Sequence, residues 1–233
     1  MVYNKKELIE ALECSILNEE NDFDSSNNED FMDSMGKDFC DCFYHEYGAS
    51  KLALIPIDDN EDYVIKIPYT GSRDRESGYY DSENYYHHGY NFYYEYTCAE
   101  CEDRVWDYCG GEAQRYLIAE EEGLGMCFAK TEFLGFANGY PIYIQERCKT
   151  FSQNNSKKHS KEEKITTSKL CGNYYNINSD WLTDFRLYYG NDILIHFVHF
   201  IKTMGWDDDL RNDNIGYIGN RPVLIDYSGF LEN

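Results

Sequence analysis

Hydrophobic residues recur about every three to four positions in three segments of the chain, which is the spacing of an amphipathic helix. The segments are residues 4–17, 107–122 and 192–204. In the first, Leu8, Leu12 and Ile16 lie at steps of four. In the second, the predicted buried face consists of Cys109, Ala113, Tyr116 and Leu117, and Gly123 follows as a helix stop signal.

Shorter apolar runs separated by turn residues predict β-hairpins. The runs are residues 52–57 with 63–69, residues 131–137 with 140–146, and residues 215–217 with 223–225. Asn138 and Gly139 join the second pair, and this dipeptide is a strong signal for a two-residue hairpin turn. The chain is therefore expected to combine helices with antiparallel strands.

Three segments interrupt this pattern. Residues 18–38 are rich in Asn, Ser and acidic residues, residues 71–104 are dense in Tyr without a clear period, and residues 152–169 are polar and Lys-rich. We interpret them as an acidic connector, an insertion and a flexible crossing between two halves. The predicted domains are residues 1–41, residues 42–150 with the insertion at about 71–104, and residues 151–233.

The charge of the chain narrows the choice of partners. Among 233 residues, 43 Asp and Glu oppose 21 Lys and Arg, so the formal net charge is −22. A protein this acidic is repelled by phosphate backbones, and we expect no direct nucleic-acid binding. No apolar run is long enough to span a bilayer. Because no secretory signal precedes the first helix, we expect a cytoplasmic location.

Two charged residues of opposite sign lie in neighbouring predicted elements and could form an ion pair. Lys66 lies within the strand-forming run Val64-Ile65-Lys66-Ile67, so its side chain points to one defined side of a sheet. Taken alone, it would be an edge-strand lysine. Glu112 follows in the second predicted helix, where it could pair with such a lysine.

A second constellation lies near the C-terminal end of the sequence. Asp209 and Asn214 follow the third predicted helix, and Asp226 comes directly after the last predicted strand. Phosphoryl transfer can use this spacing, since one carboxylate can orient an attacking hydroxyl while an Asn and a second carboxylate hold Mg²⁺.

Taken together, these four places resemble the protein-kinase-like fold, and in particular small truncated kinase-like proteins of bacteriophages and bacterial mobile elements. The resemblance implies an α+β fold with an antiparallel five-stranded N-lobe and a shortened helical C-lobe. It also implies binding of Mg²⁺ with ATP or another nucleoside triphosphate.

The resemblance implies a role for each matching residue. Asp209 and Arg211 are the implied catalytic residues, and Asn214 and Asp226 the implied metal ligands. The implied nucleotide-binding residues are Gly48, Ser50, Lys51, Lys66, Glu112, Glu146 and Cys148. Among these, Lys66 would hold the α- and β-phosphates and Glu112 would orient Lys66. The segment from Gln145 to Cys148 would contact adenine through its backbone.

The sequence also departs from the family pattern. Only the first glycine of the phosphate-covering loop is kept, at Gly48, and Asp207 and Asp208 replace the His and Arg of the catalytic loop. Seven residues follow Asp226 in the sequence, so we expect no activation segment and no lobe for a peptide substrate.

The sequence has nine Cys at irregular positions, which favours free thiols in a reducing compartment. Cys98 and Cys101 have the spacing of half a zinc site, with Cys109, His87 and His88 as conceivable further ligands. No second pair with this spacing is present in the sequence. His196 and His199 are interpreted as the polar edge of a packed helix.

Two other functions compete with nucleotide binding. A non-catalytic protein could present its acidic, Tyr-rich surface to a host protein, for example an immune or nucleic-acid-processing protein in a phage-infected bacterium. A small-molecule kinase resembling aminoglycoside phosphotransferases would need a larger helical lobe. Missing C-terminal helices would also leave apolar surface that a second copy could cover, so a homodimer is conceivable.

Overall fold

The structure of the protein is a computed structural model. It describes residues 6, 8–10, 12, 43–47, 51–58, 62–68, 79–80, 86–87, 94–97, 104–137, 140–151, 158–172, 177–205 and 210–227. These residues fall into two compact units. The sheet unit is drawn from residues 1–113 and 131–146, and the helical unit from residues 114–130 and 147–231.

The sheet unit contains a five-stranded antiparallel sheet. Its strands are β1 (Phe43–Tyr47), β2 (Lys51–Pro56), β3 (Tyr63–Pro68), β8 (Thr131–Ala137) and β9 (Tyr140–Glu146). The strand order is β1-β2-β3-β9-β8, so β3 lies at the centre. Both predicted hairpins of this unit are present, and the prediction of an α+β fold with a five-stranded antiparallel sheet is confirmed.

One face of this sheet carries the apolar core of the unit. Alternating side chains point to the same side of a strand, so Leu52 with Leu54 and Ile65 with Ile67 line one face. All four are fully buried, and Leu12 of the N-terminal helix joins them. That helix is described at residues 6, 8–10 and 12, within the predicted residues 4–17.

The insertion contains short strand pairs that the sequence pattern did not indicate. They are β4 (Tyr79–Tyr80) with β5 (Tyr86–His87), and β6 (Tyr94–Thr97) with β7 (Arg104–Asp107). The two central pairs of β6 and β7 are Glu95 with Trp106 and Tyr96 with Val105. The rest of the insertion lies outside the described residues.

The second predicted helix is α1 (Tyr108–Glu121), which begins and ends within one residue of the prediction. Gly123 follows it with a φ of 72°, a left-handed conformation suited to a helix C-terminus. The prediction that Leu117 is buried was wrong, because its side chain is 57% exposed. The polar residues Glu112 and Arg115 are buried instead.

The helical unit combines three helices with a small sheet. The helices are α2 (Lys161–Leu170), α3 (Ser179–Tyr189) and α4 (Asn191–Thr203), and the strands are β10 (Lys149–Thr150), β11 (Ile215–Ile218) and β12 (Arg221–Leu224). A short 3₁₀ helix spans Gly125–Cys127. Trp181, Phe185 and Phe197 pack together in the core, with ring centroids 4.6–6.2 Å apart.

Close backbone approach explains one glycine of the small sheet. A Cβ atom on Gly216 would lie 2.5 Å from the carbonyl oxygen of Lys149 on the neighbouring strand. The carbonyl of Gly216 also accepts a hydrogen bond of 3.1 Å from Trp181 Nε1. This position therefore joins the small sheet to the aromatic core.

Helix α2 corrects the expectation that residues 152–169 form a flexible crossing. Its N-cap, Ser160, forms a capping box with Glu163, in which each side chain accepts a hydrogen bond from the backbone N–H of the other residue. The Ser-x-x-Glu spacing was present in the sequence, but the surrounding Lys and polar residues concealed it. Residues 152–157 lie outside the described residues.

Polar side chains connect α2 to α3. Lys164 Nζ lies 2.6 Å from Asp180 Oδ2, and the backbone N–H of His159 donates to Asp180 Oδ1 at 3.2 Å. Burial opposes ionisation of Asp180, but these hydrogen bonds and the charge of Lys164 lower its pKa on balance. Asp184 of α3 accepts from Tyr217 at 2.6 Å, and burial together with this contact raises the pKa of Tyr217.

Two thiols of the helical unit are shielded from solvent. Cys127 and Cys171 are buried and free. Burial raises the pKa of Cys127 to about 12 and that of Cys171 to about 11. Both thiols are therefore protonated and unreactive at neutral pH.

Within the described residues, no helix combines the length and the apolar character needed to cross a membrane.

The capping box predicts the effect of Ser160→Ala. Loss of the cap should lower the free energy of unfolding by about 0.5–2 kcal/mol at neutral pH, whereas Lys169→Ala on the exposed surface of α2 should have little effect. Ser160 lowers the pKa of Glu163 through its side-chain hydrogen bond and then its backbone hydrogen bond. That part of the stabilisation is present above the unfolded Glu pKa of about 4.3 and is lost as the pH falls through the folded value. Urea unfolding between pH 3 and about pH 7 measures this effect. The difference in free energy of unfolding between the wild type and Ser160→Ala should become smaller at acidic pH.

Candidate functional site

Lys66 lies on β3, the central strand of the five-stranded sheet. Its backbone pairs with Ala53 on one side and Tyr143 on the other, and the residue is 6% exposed. Lys66 is therefore not the edge-strand lysine that the residue taken alone would suggest.

The amine of Lys66 donates to Glu112 Oε2 at a distance of 2.8 Å. Lys51 donates to the other carboxylate oxygen, Oε1. Gln145 Nε2 donates to Oε2 at 3.1 Å and also to Thr131 Oγ1 at 2.7 Å. Glu112 is fully buried, so three donors satisfy a carboxylate that has no access to water.

Strand periodicity explains why these side chains meet. Register places Lys66 beside Ala53, which is two residues after Lys51, and beside Tyr143, which is two residues before Gln145. Residues two apart share a face, so both lysines and Gln145 point away from the apolar core of the unit. We call this group, Lys51, Lys66, Glu112, Thr131 and Gln145, the polar cluster.

Only part of the polar cluster was expected from the sequence. Lys66 was paired with Glu112, whereas Lys51 was expected only to bind nucleotide and Gln145 only to belong to the segment whose backbone contacts adenine. A polar residue at the end of the otherwise apolar run from residue 141 to 144 was the available signal for Gln145. Gly48 and Ser50 lie outside the described residues.

The helical unit brings together the two residues expected to bind metal. Asn214 directly precedes β11, and Asp226 lies two residues after β12. Ile215 pairs with Leu224, and the backbone N–H of Ile225 donates to the carbonyl of Asn214 at 2.9 Å, so the hairpin pairing continues to this end. Both residues therefore lie at the same end of one hairpin.

Asp226 has an unusual backbone conformation. Its φ of 49° is the one positive value among the described residues other than glycine. An L-residue in this region costs roughly 1–2 kcal/mol, and such positions are concentrated at functional sites.

The remaining predicted site residues are spread over both units. Arg211 is exposed, and its carbonyl accepts from the backbone N–H of Asn214 at 3.0 Å. Glu146 ends β9 in the sheet unit, and Cys148 packs against Val223 and Ile225 in the helical unit. Asp209 lies outside the described residues.

The donor types at Asn214 and Asp226 suit a hard cation. An amide oxygen and a carboxylate are the ligands that Mg²⁺ takes alongside phosphate oxygens and water. The zinc hypothesis has no such support: Cys98, Cys101 and His88 lie outside the described residues, and the described part of the chain contains no cluster of three His, Cys, Asp or Glu.

Comparisons with known proteins add little to this picture. No family model and no curated protein matches the chain. One similar solved structure is the ternary complex of APH(2″)-IIa with streptomycin and ATP. The alignment covers 99% of this chain and 72% of that chain, with 15% identity and a TM-score of 0.36.

The polar cluster predicts a ranking of substitutions. Glu112→Gln should lower the free energy of unfolding most, by about 3–5 kcal/mol, because two buried ammonium groups lose their counter-charge. Lys51→Met and Lys66→Met should each cost less, since one lysine remains paired with Glu112. The exposed Glu121→Gln on the same helix should change stability by less than about 0.5 kcal/mol. Urea unfolding measures the four values, and an equal cost for Glu112→Gln and Lys66→Met would contradict this account.

The backbone of Asp226 predicts that Asp226→Gly is more stable than Asp226→Ala. Both variants lack the carboxylate, but only alanine has a Cβ that opposes a positive φ, so the difference should be roughly 0.5–1 kcal/mol. At Asp213, where φ is not positive, the same two substitutions should rank in the opposite order. Thermal unfolding of the four variants without ligand measures both differences.

Proposed function

We propose that this protein binds a nucleoside triphosphate together with Mg²⁺, in the manner of kinase-like proteins. The observation that carries the proposal is the buried ion pair of Lys66 with Glu112 on the central strand of the sheet. A protein rarely buries a lysine in a sheet without a specific counter-charge, and this one is held at a defined position.

The lysines of the polar cluster support an anionic ligand. Lys51 and Lys66 place two ammonium groups on the polar face of the sheet, and ammonium groups bind phosphate oxygens through charge-assisted hydrogen bonds. Lys66 would hold the α- and β-phosphates, and Glu112 would orient its amine. Lys51 would supply a second positive charge to the phosphates.

Asn214 and Asp226 would hold the Mg²⁺ ion that accompanies the phosphates. Bound there, the cation would supply positive charge to the phosphate oxygens. The backbone from Gln145 to Cys148 would contact the adenine ring.

We further propose that the protein can transfer the γ-phosphoryl group. Asp209 would accept the proton of the attacking hydroxyl, and Arg211 would place a positive charge near the transferred phosphate.

The net charge of −22 favours one other function. A kinase-like scaffold could act without catalysis, as a phage or mobile-element protein that inhibits a host protein through its acidic, Tyr-rich surface. Such an electrostatic complex would weaken as salt is added, because salt screens exposed charges.

Calorimetric titration and thermal unfolding with MgATP test the proposal. At about 100 times the dissociation constant, the nucleotide should stabilise the protein by roughly 2.7 kcal/mol. Lys66→Met and Asp226→Ala should reduce this stabilisation, whereas Lys169→Met on the exposed surface of α2 should retain it. Binding that is absent in the wild type, or equal in all variants, would overturn nucleotide binding. If the wild type binds no nucleotide but captures a host protein in a salt-sensitive manner, the result would support the function as an inhibitor.

A further inference from the structure

The residue after Asp226 is held from three directions within the helical unit. The carbonyl of Tyr227 accepts a hydrogen bond of 2.5 Å from Arg115 Nη1. Its hydroxyl donates to the carbonyl of Ala129 at 2.7 Å, and its ring lies edge-on to Phe128 with centroids 5.1 Å apart. Tyr227 is 3% exposed, so water does not compete for these contacts.

The chain before Asp226 is fixed as well. The N–H of Ile225 donates to Asn214, and Ile225 packs beside Ala129 and Val223. Asp226 is therefore placed between two anchored residues while its own φ is positive. A strained conformation persists only where the surroundings determine it, and here the anchors on both sides do so.

Arg115 is unusual because an arginine side chain is rarely buried. It lies on the buried face of α1 and is 4% exposed. Removing a guanidinium from water is costly, and the carbonyl of Tyr227 is one of the acceptors that offset the cost. The same hydrogen bond restrains the backbone directly after Asp226.

We propose that Arg115 and Tyr227 are positioning residues that hold Asp226 in its left-handed conformation before any cation binds. Neither residue would contact the metal. A carboxylate already held in place loses less conformational freedom on binding, so the restraint would raise the affinity for a divalent cation. The cation-binding half of this inference rests on the proposed function, whereas the restraint itself does not.

The restraint can be tested without any ligand. The stability difference between Asp226→Gly and Asp226→Ala reports how strongly the surroundings impose a positive φ. We expect this difference to shrink when Tyr227→Phe or Arg115→Met is present, because alanine can then relax to a negative φ. Tyr189→Phe is the matched control, since it also removes a hydroxyl that donates to backbone carbonyls, those of Met126 and Pro222. When Tyr189→Phe is present, the stability difference between Asp226→Gly and Asp226→Ala should persist.

An unchanged difference in both Tyr227→Phe and Arg115→Met would overturn the restraint. Should Arg115→Met fail to fold, Tyr227→Phe alone decides the question, and an unchanged difference there would overturn the restraint. Lysine keeps a buried donor, so where Arg115→Met does fold, Arg115→Lys should retain more of the difference than Arg115→Met.

The second measurement is the affinity for Mn²⁺ in the presence of a non-hydrolysable ATP analogue, read by electron paramagnetic resonance. Tyr227→Phe and Arg115→Met should raise the Mn²⁺ dissociation constant several-fold, and Tyr189→Phe should leave it unchanged. Equal Mn²⁺ affinity in all variants would overturn the effect on cation binding. A wild type that binds neither Mn²⁺ nor the analogue would instead overturn the proposed function, while the ligand-free comparison would still decide the restraint.

Discussion

The sharing of one buried carboxylate by two lysines is the interaction on which the sheet unit depends. Glu112 would be strongly destabilising without Lys51 and Lys66, and each lysine would be destabilising without Glu112. The three charges can be buried only if α1 holds Glu112 over the polar face of the sheet. The apolar face of the same sheet meanwhile supplies the hydrophobic core, so the two faces serve two different purposes.

The helical unit depends on aromatic packing rather than on a buried carboxylate. Its core is aromatic, built around Trp181 and its neighbours, and it supports a hairpin whose end carries Asn214 and Asp226. Strain at Asp226 is tolerated because the flanking backbone is anchored by hydrogen bonds on both sides. The positive φ of Asp226 thus costs local conformational free energy, and the contacts of the flanking residues offset that cost.

Local signals explain what could be predicted about the fold. The hairpin with the Asn-Gly turn and the helix that ends at Gly123 depend on the residues within them, and both were predicted to within about one residue. Helix α2 was not predicted because the surrounding residues are polar, which is typical of a flexible segment. Its capping signal, Ser160 with Glu163, is only four residues long. Leu117 was assigned to the buried face because periodicity alone does not show that Glu112 and Arg115 are buried instead.

The amino-acid sequence by itself determined the period-two placement of Lys66, the helical position of Glu112 and the spacing of Asn214 and Asp226. Those features follow from backbone geometry, which every strand and helix shares. Only the tertiary structure decided that Lys51 joins the same carboxylate, that Gln145 connects it to Thr131, and that Asp226 has a positive φ. Each of these depends on which distant side chain can satisfy a buried polar group, and that choice is made by packing between elements rather than within them.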